Sequence, residues 1–154
     1  MAVKRTGEAS FVEALLPAGA GQNATLDRLG GLVKWYRFEK LLAHLRDEES
    51  PGRPGYPVLV LFRALVLQSL YGLSERELED ALNDRLSFKR FVGLSFEDAV
   101  PDHTVLNRFR NRLIEEKLVE KLFGELDWQL EKAGVILKRG TMLDATLIEA
   151  VSVP

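Results

Sequence analysis

The run from Pro101 to Arg112 reads Pro-Asp-His-Thr-Val-Leu-Asn-Arg-Phe-Arg-Asn-Arg. From His103 onward it holds three Arg, two Asn and no acid. Arg and Asn are the side chains that read guanine and adenine bidentately in a major groove, and Arg also grips phosphate oxygens. At helical spacing Val105, Leu106, Phe109 and Leu113 form an apolar stripe. Thr104, Asn107, Arg108, Asn111 and Arg112 then fall on the opposite arc, with Arg110 at its edge. Short capped helices precede this segment, in the order of a helix-turn-helix. The same composition also suits a solvated helix face that makes ordinary salt bridges. Lys89 and Arg90, with Arg85 nearby, extend the basic surface or serve solubility. His103 sits at the helix start, where capping or a polar contact is the simpler role.

A second constellation is Thr141-Met-Leu-Asp-Ala-Thr-Leu-Ile-Glu149. Asp144 stands in an otherwise apolar, β-prone run. A buried charge is costly unless it is paired or bound to a metal. A strand carboxylate is one way to hold Mg²⁺, together with other carboxylates and water. An exposed strand end explains the same residue.

These residues need a frame, and the pattern supplies a mainly α one. Residues 1–30 are rich in Ala and Gly, with little apolar periodicity after Leu16, so they read as a mobile N-terminal arm with a short helix near Phe11. Leu32, Trp35, Phe38, Leu41, Leu42 and Leu45 predict a helix over 32–47. Val58 to Tyr71, behind Pro57, is apolar nearly all round and predicts the central buried helix, stopped by Gly72. Ser74 and Glu77 fit a capping box. Ser87 is the expected cap of a short helix carrying Phe88, Phe91 and Val92 inward, with Lys89 and Arg90 outward and Gly93 at its end. A helix opens after Val100-Pro-Asp102, and a last one spans 116–132, with Leu118, Leu122, Leu126 and Leu130 inward and Gly134 at its end. Trp35, Tyr71 and Trp128 are expected in the core. Beyond Gly134, Val135-Ile-Leu and Met142 to Ile148 read as two strands about a turn. The expected division is a helical domain of about five to six helices over 31–133 and a short β segment over 134–154.

Composition narrows the chemistry. Of 154 residues 46% are hydrophobic and 29% charged, with net charge −2. That is a globular balance, and it argues against a wholly basic nucleic-acid binder while leaving room for a local basic patch. The absence of Cys excludes a disulfide scaffold, a Cys-ligated zinc site and a Cys nucleophile. Two His leave little for a His-rich metal site. No phosphate-cradling glycine loop is present. The longest apolar run, Val58 to Leu67, is broken by Arg63 and falls short of the roughly 20 residues of a spanning helix. With no targeting segment at Met1 to Thr6, the expectation is a soluble cytoplasmic protein.

An ordered set of motifs resembles a known family. It comprises Gly52-Arg-Pro-Gly-Tyr-Pro57, Leu67 through Glu79, Asn83 through Leu94, Val100-Pro-Asp-His-Thr104, Arg108-Phe-Arg-Asn-Arg-Leu113 and Gly140-Thr-Met-Leu-Asp-Ala-Thr-Leu-Ile-Glu-Ala150. Over residues 32–150 the chain resembles transposases of the insertion-sequence-five group. The resemblance implies a helical DNA-binding domain followed by a ribonuclease-H-like catalytic domain whose Asp-Asp-Glu triad binds Mg²⁺. It places the first acid on Asp144. The family's other two acids lie further along than this chain reaches, and Glu149 is too close to Asp144 to replace either. The resemblance therefore implies an incomplete ribonuclease-H-like segment, no cofactor for the chain alone, and Mg²⁺ for a complete transposase. The implied partner is double-stranded DNA at the ends of an insertion sequence, with a homodimer or a mixed complex with full-length transposase beside it. The expected activity is end binding without DNA cleavage, and inhibition of complete transposase by competition. A helical dimerisation module using the leucines of 116–130, or the product of a pseudogene, is the alternative.

Overall fold

The computed structural model describes residues 3–48 and 55–135, and the elements in them are helical. In chain order they are α1 (Phe11–Leu15), α2 (Ala24–Leu32), α3 (Tyr36–Leu42), a 3-10 segment (Ala43–Glu48), α4 (Val58–Tyr71), α5 (Glu75–Asp84), α6 (Leu86–Val92), α7 (His103–Glu115) and α8 (Val119–Lys132). An isolated parallel bridge joins Val3 to Gly55. The chain is mainly α among the described residues. The expected β segment, with Asp144, lies outside them.

Helix α4 is the axis of the fold. Nine of its fourteen residues are buried, as its all-round apolar sequence requires. Helices α3, α5, α6 and α7 pack around it. Phe62 at its centre stacks on Phe38 with ring centroids 4.7 Å apart, and Trp35 and Phe123 close the cluster at 6.4 and 5.9 Å. Arg63 is the one cation on this helix. Its guanidinium lies 4.2 Å over the Trp35 ring and donates to the Phe91 carbonyl at 2.9 Å. Burial pushes its pKa down to about 10, so it remains charged at neutral pH.

Local signals end and start the helices much as expected. Gly72 (φ 64°) and Gly93 (φ 96°) cap α4 and α6 in the left-handed region, where a side chain is strained. The Ser74 hydroxyl accepts the Glu77 N–H at 3.1 Å, and the Glu77 carboxylate accepts the Ser74 N–H at 2.9 Å. This reciprocal pair satisfies two donors that the first turn of α5 otherwise leaves open. Ser74→Ala is expected to lower stability by about 1 kcal/mol in urea unfolding. An unchanged midpoint would show that water replaces the cap without loss.

Several elements differ from the sequence expectation. The stretch read as an arm through residue 30 contains α2, whose Leu26 and Leu29 are buried. With two Gly and only two buried residues in nine, α2 has too short an apolar repeat to stand out. The single helix expected over 32–47 breaks at Val33, and the buried Gln129 side chain accepts the Lys34 N–H left open there at 2.7 Å. Ser87 does not cap α6, which starts two residues earlier than that cap would set, at Leu86 behind Arg85. Trp35 is core and Tyr71 packs on Phe88 at 4.8 Å, but Trp128 is 48% exposed. At the surface Lys132 and Arg37 lie over its ring, at 4.9 and 5.5 Å.

Leu122, Leu126 and Leu130 of α8 are buried in this chain's own core. They are thus not an exposed dimerisation stripe. No single helix among the described residues is long and apolar enough to cross a membrane.

Candidate nucleic-acid interface

Helix α7 begins at a cap that the sequence dictates. The Asp102 carboxylate accepts the Val105 N–H at 2.9 Å, satisfying an open first-turn donor. Leu106, Phe109 and Leu113 then bury one face against the core. That anchoring turns Thr104, Asn107, Arg108 and Asn111 to solvent, and Arg112 is partly covered. The expected apolar and polar faces of this helix are both present.

Helix α5 lies alongside α7 and contributes two carboxylates, Glu75 and Glu79, one turn apart. Glu79 accepts the His103 backbone N–H at 2.7 Å, and its Oε1 also sits 2.8 Å from His103 Nδ1. His103 is thus a joint between two helices. Glu75 accepts from Arg110 Nη1 at 2.8 Å and, more loosely, from Asn107 Nδ2 at 3.5 Å. Asn107 Oδ1 accepts in turn from Asn111 Nδ2 at 3.0 Å. Between the first turns of α5 and α7 lies a cleft of about 360 Å³, lined by Ser74, Glu75, Arg76, His103, Thr104 and Asn107.

The electrostatics follow from these pairs. The Arg110 hydrogen bond, helped by its charge, holds the Glu75 carboxyl below its ordinary range. The His103 hydrogen bonds do the same for Glu79, foremost the one to its ring. A depressed carboxylate pKa contributes stability that is complete above the ordinary value and is lost as pH falls through the folded one. The urea midpoint of the chain is therefore expected to hold steady from neutral pH downward and to drop below about pH 4.5. Glu79→Gln should flatten part of that drop. A full drop retained in the variant would show that the Glu79–His103 contact does not contribute to it.

The structure therefore gathers Asn107, Arg110 and Asn111 into one hydrogen-bonded set on Glu75, pairs His103 separately with Glu79, and leaves Arg108 exposed beside them. It places Lys89 and Arg90 differently. Lys89 Nζ donates to the Phe96 carbonyl at 2.6 Å. Arg90 donates to the Glu13 carboxylate at 2.9 Å and to the Ala20 carbonyl at 2.5 Å. Glu13 also accepts the Phe96 N–H at 2.7 Å, Ser10 hydrogen-bonds Glu97, and the Gly7 N–H donates to Asp98 at 2.8 Å. Arg90 thus fastens the N-terminal residues to α6, and Lys89 ties α6 to the 93–98 loop. Sequence reasoning missed Glu75 and Glu79 as partners of the α7 residues. Their four-residue spacing puts them on one face, but nothing local says which helix that face meets.

Among the described residues no group of three His, Asp or Glu side chains is placed to hold a metal ion. Asp144, the expected Mg²⁺ ligand, lies outside them.

A family model described as Transposase domain (DUF772) matches residues 13–112, close to two thirds of the chain. The match takes in α2 through most of α7, including both carboxylates and the polar face they support. No solved structure matches the chain.

Proposed function

Because the chain belongs to the Transposase domain (DUF772) family, we propose that its helical part binds double-stranded DNA at the ends of an insertion sequence of the insertion-sequence-five group. The observation that carries this reading is the exposed face of α7, where Thr104, Asn107, Arg108 and Asn111 form an acid-free set of donors on a helix anchored by its opposite side. Such a helix is the right shape for a major groove, and its side chains match base edges and phosphates. Arg108, Asn111 and Arg112 are the proposed contacts, and Asn107 lies between Glu75 and Asn111. His103 and Arg110 hold α7 against α5, Arg90 holds the N-terminal residues, and Lys89 holds the 93–98 loop. In a complete transposase Asp144 would be one of the acids that hold Mg²⁺.

The test is binding of the purified 154-residue chain to labelled duplexes from the ends of the element that encodes it, against scrambled duplexes, across a salt series. Preference for the end sequence is the expected result. Equal and steeply salt-dependent binding to both would leave phosphate contact alone and remove end recognition. No binding to either would overturn the reading. Overexpressed beside a complete transposase, this chain should compete for the ends and lower transposition frequency. An unchanged frequency would end the inhibitor role.

A further inference from the structure

The geometry points to Asn111 as the residue that reads an adenine, with Glu75 and Asn107 as positioning residues that set its amide. This rests on the DNA-binding reading above and adds the base, the reader and the support.

The argument is a count of donors and acceptors. An ionised carboxylate only accepts, whereas an Asn amide carries a carbonyl acceptor on one side and two N–H donors on the other. The group of Asn107 that faces Glu75 must therefore be its amide nitrogen, as the 3.5 Å contact has it. That choice turns Asn107 Oδ1 toward Asn111, where it accepts from Nδ2 at 3.0 Å. The reversed amide would set an oxygen against the carboxylate and a nitrogen against the Asn111 nitrogen, so the two contacts agree on one orientation. Arg110, 2.8 Å from the same Glu75 oxygen, keeps the carboxylate in place.

Both poles of Asn107 are thereby engaged within the protein. Asn111 uses its nitrogen once and keeps a second N–H and its carbonyl for a ligand. Adenine presents N7 as an acceptor and N6–H as a donor in the major groove, the complement of that remaining pair. Asn111 is exposed, and it lies one turn from Arg108, the exposed cation of the same arc. An amide fixed before contact loses less rotamer freedom on binding, so the reading is sharper for the same hydrogen bonds.

The test measures base preference at every position of the bound site with a duplex library, for the full chain, Asn111→Ala and Glu75→Gln. The wild-type chain should prefer A·T at one pair, and Asn111→Ala should lose roughly 10- to 100-fold discrimination there with other positions unchanged. Placing 7-deazaadenine at that pair removes the N7 acceptor. It should weaken the wild-type chain and leave Asn111→Ala unaffected. Glu75→Gln can present a donor or an acceptor, so it should blur preference at that same pair without lowering affinity for the other duplexes, an effect that loss of packing would not give. Asn111→Ala with every preference intact would overturn the assignment while end binding stands. Wild-type binding without base preference would overturn the assignment and end recognition together. No binding to any duplex would overturn the whole DNA reading.

Discussion

Phe62→Ala is expected to destabilise the chain by about 3–5 kcal/mol, the usual cost of emptying a buried aromatic site. Phe62 has no exposed surface and sits at the centre of α4, the helix around which the others pack. Its ring stacks on Phe38, meets an edge of Trp35 and lies tilted against Phe123, so truncation removes contacts to α3, α8 and the α2–α3 break at once. A domain of this size holds about 5–15 kcal/mol in total, so the loss is a large share of stability. Urea unfolding followed by circular dichroism reads it directly. End binding should weaken in step, because α7 also packs on α4. A loss below about 1 kcal/mol would mean that the neighbouring helices collapse into the space, contrary to the packing described.

The second large effect is on function. Arg108→Ala/Arg112→Ala should sharply reduce preference for the element ends over scrambled duplex. An Arg that contacts a base edge contributes about 1–3 kcal/mol of discrimination, so the pair together accounts for about 2 kcal/mol or more, close to 30-fold. Residual binding should persist and stay salt-dependent, with a shallower slope for each phosphate contact removed. Arg108 is exposed and lies on the arc opposite the buried face of α7, so its loss should leave the fold standing. A melting curve on the double variant verifies that. Undiminished end preference in a folded double variant would mean that neither Arg108 nor Arg112 reads the ends.

Much of this protein could be read from short-range pattern. The Ser74–Glu77 capping box, the Gly72 and Gly93 stops, the all-apolar α4 and the two faces of α7 each depend on residues within a few positions of one another. Helix geometry repeats on that scale, so the sequence exposes it. The family match over residues 13–112 agrees with the transposase resemblance at its coarser level. What stayed hidden had longer reach. Helix α2 is held by burial rather than by its own periodicity. Trp128 looks like core by spacing, yet Arg37, ninety-one positions earlier, meets its ring at the surface.

The candidate site divides the same way. That Thr104, Asn107, Arg108 and Asn111 share the face opposite Leu106, Phe109 and Leu113 is legible in the chain, because one helix and one apolar stripe suffice for that. How those side chains are held depends on contacts between distant segments. Glu75 reaches Arg110 and Asn107 across thirty-five and thirty-two positions, and Glu79 reaches His103 across twenty-four. Arg90 is drawn away to Glu13 across seventy-seven. A cation's partner is set by which helix packs beside it, and that follows from the shape of the shared core rather than from the residues next to it in the chain.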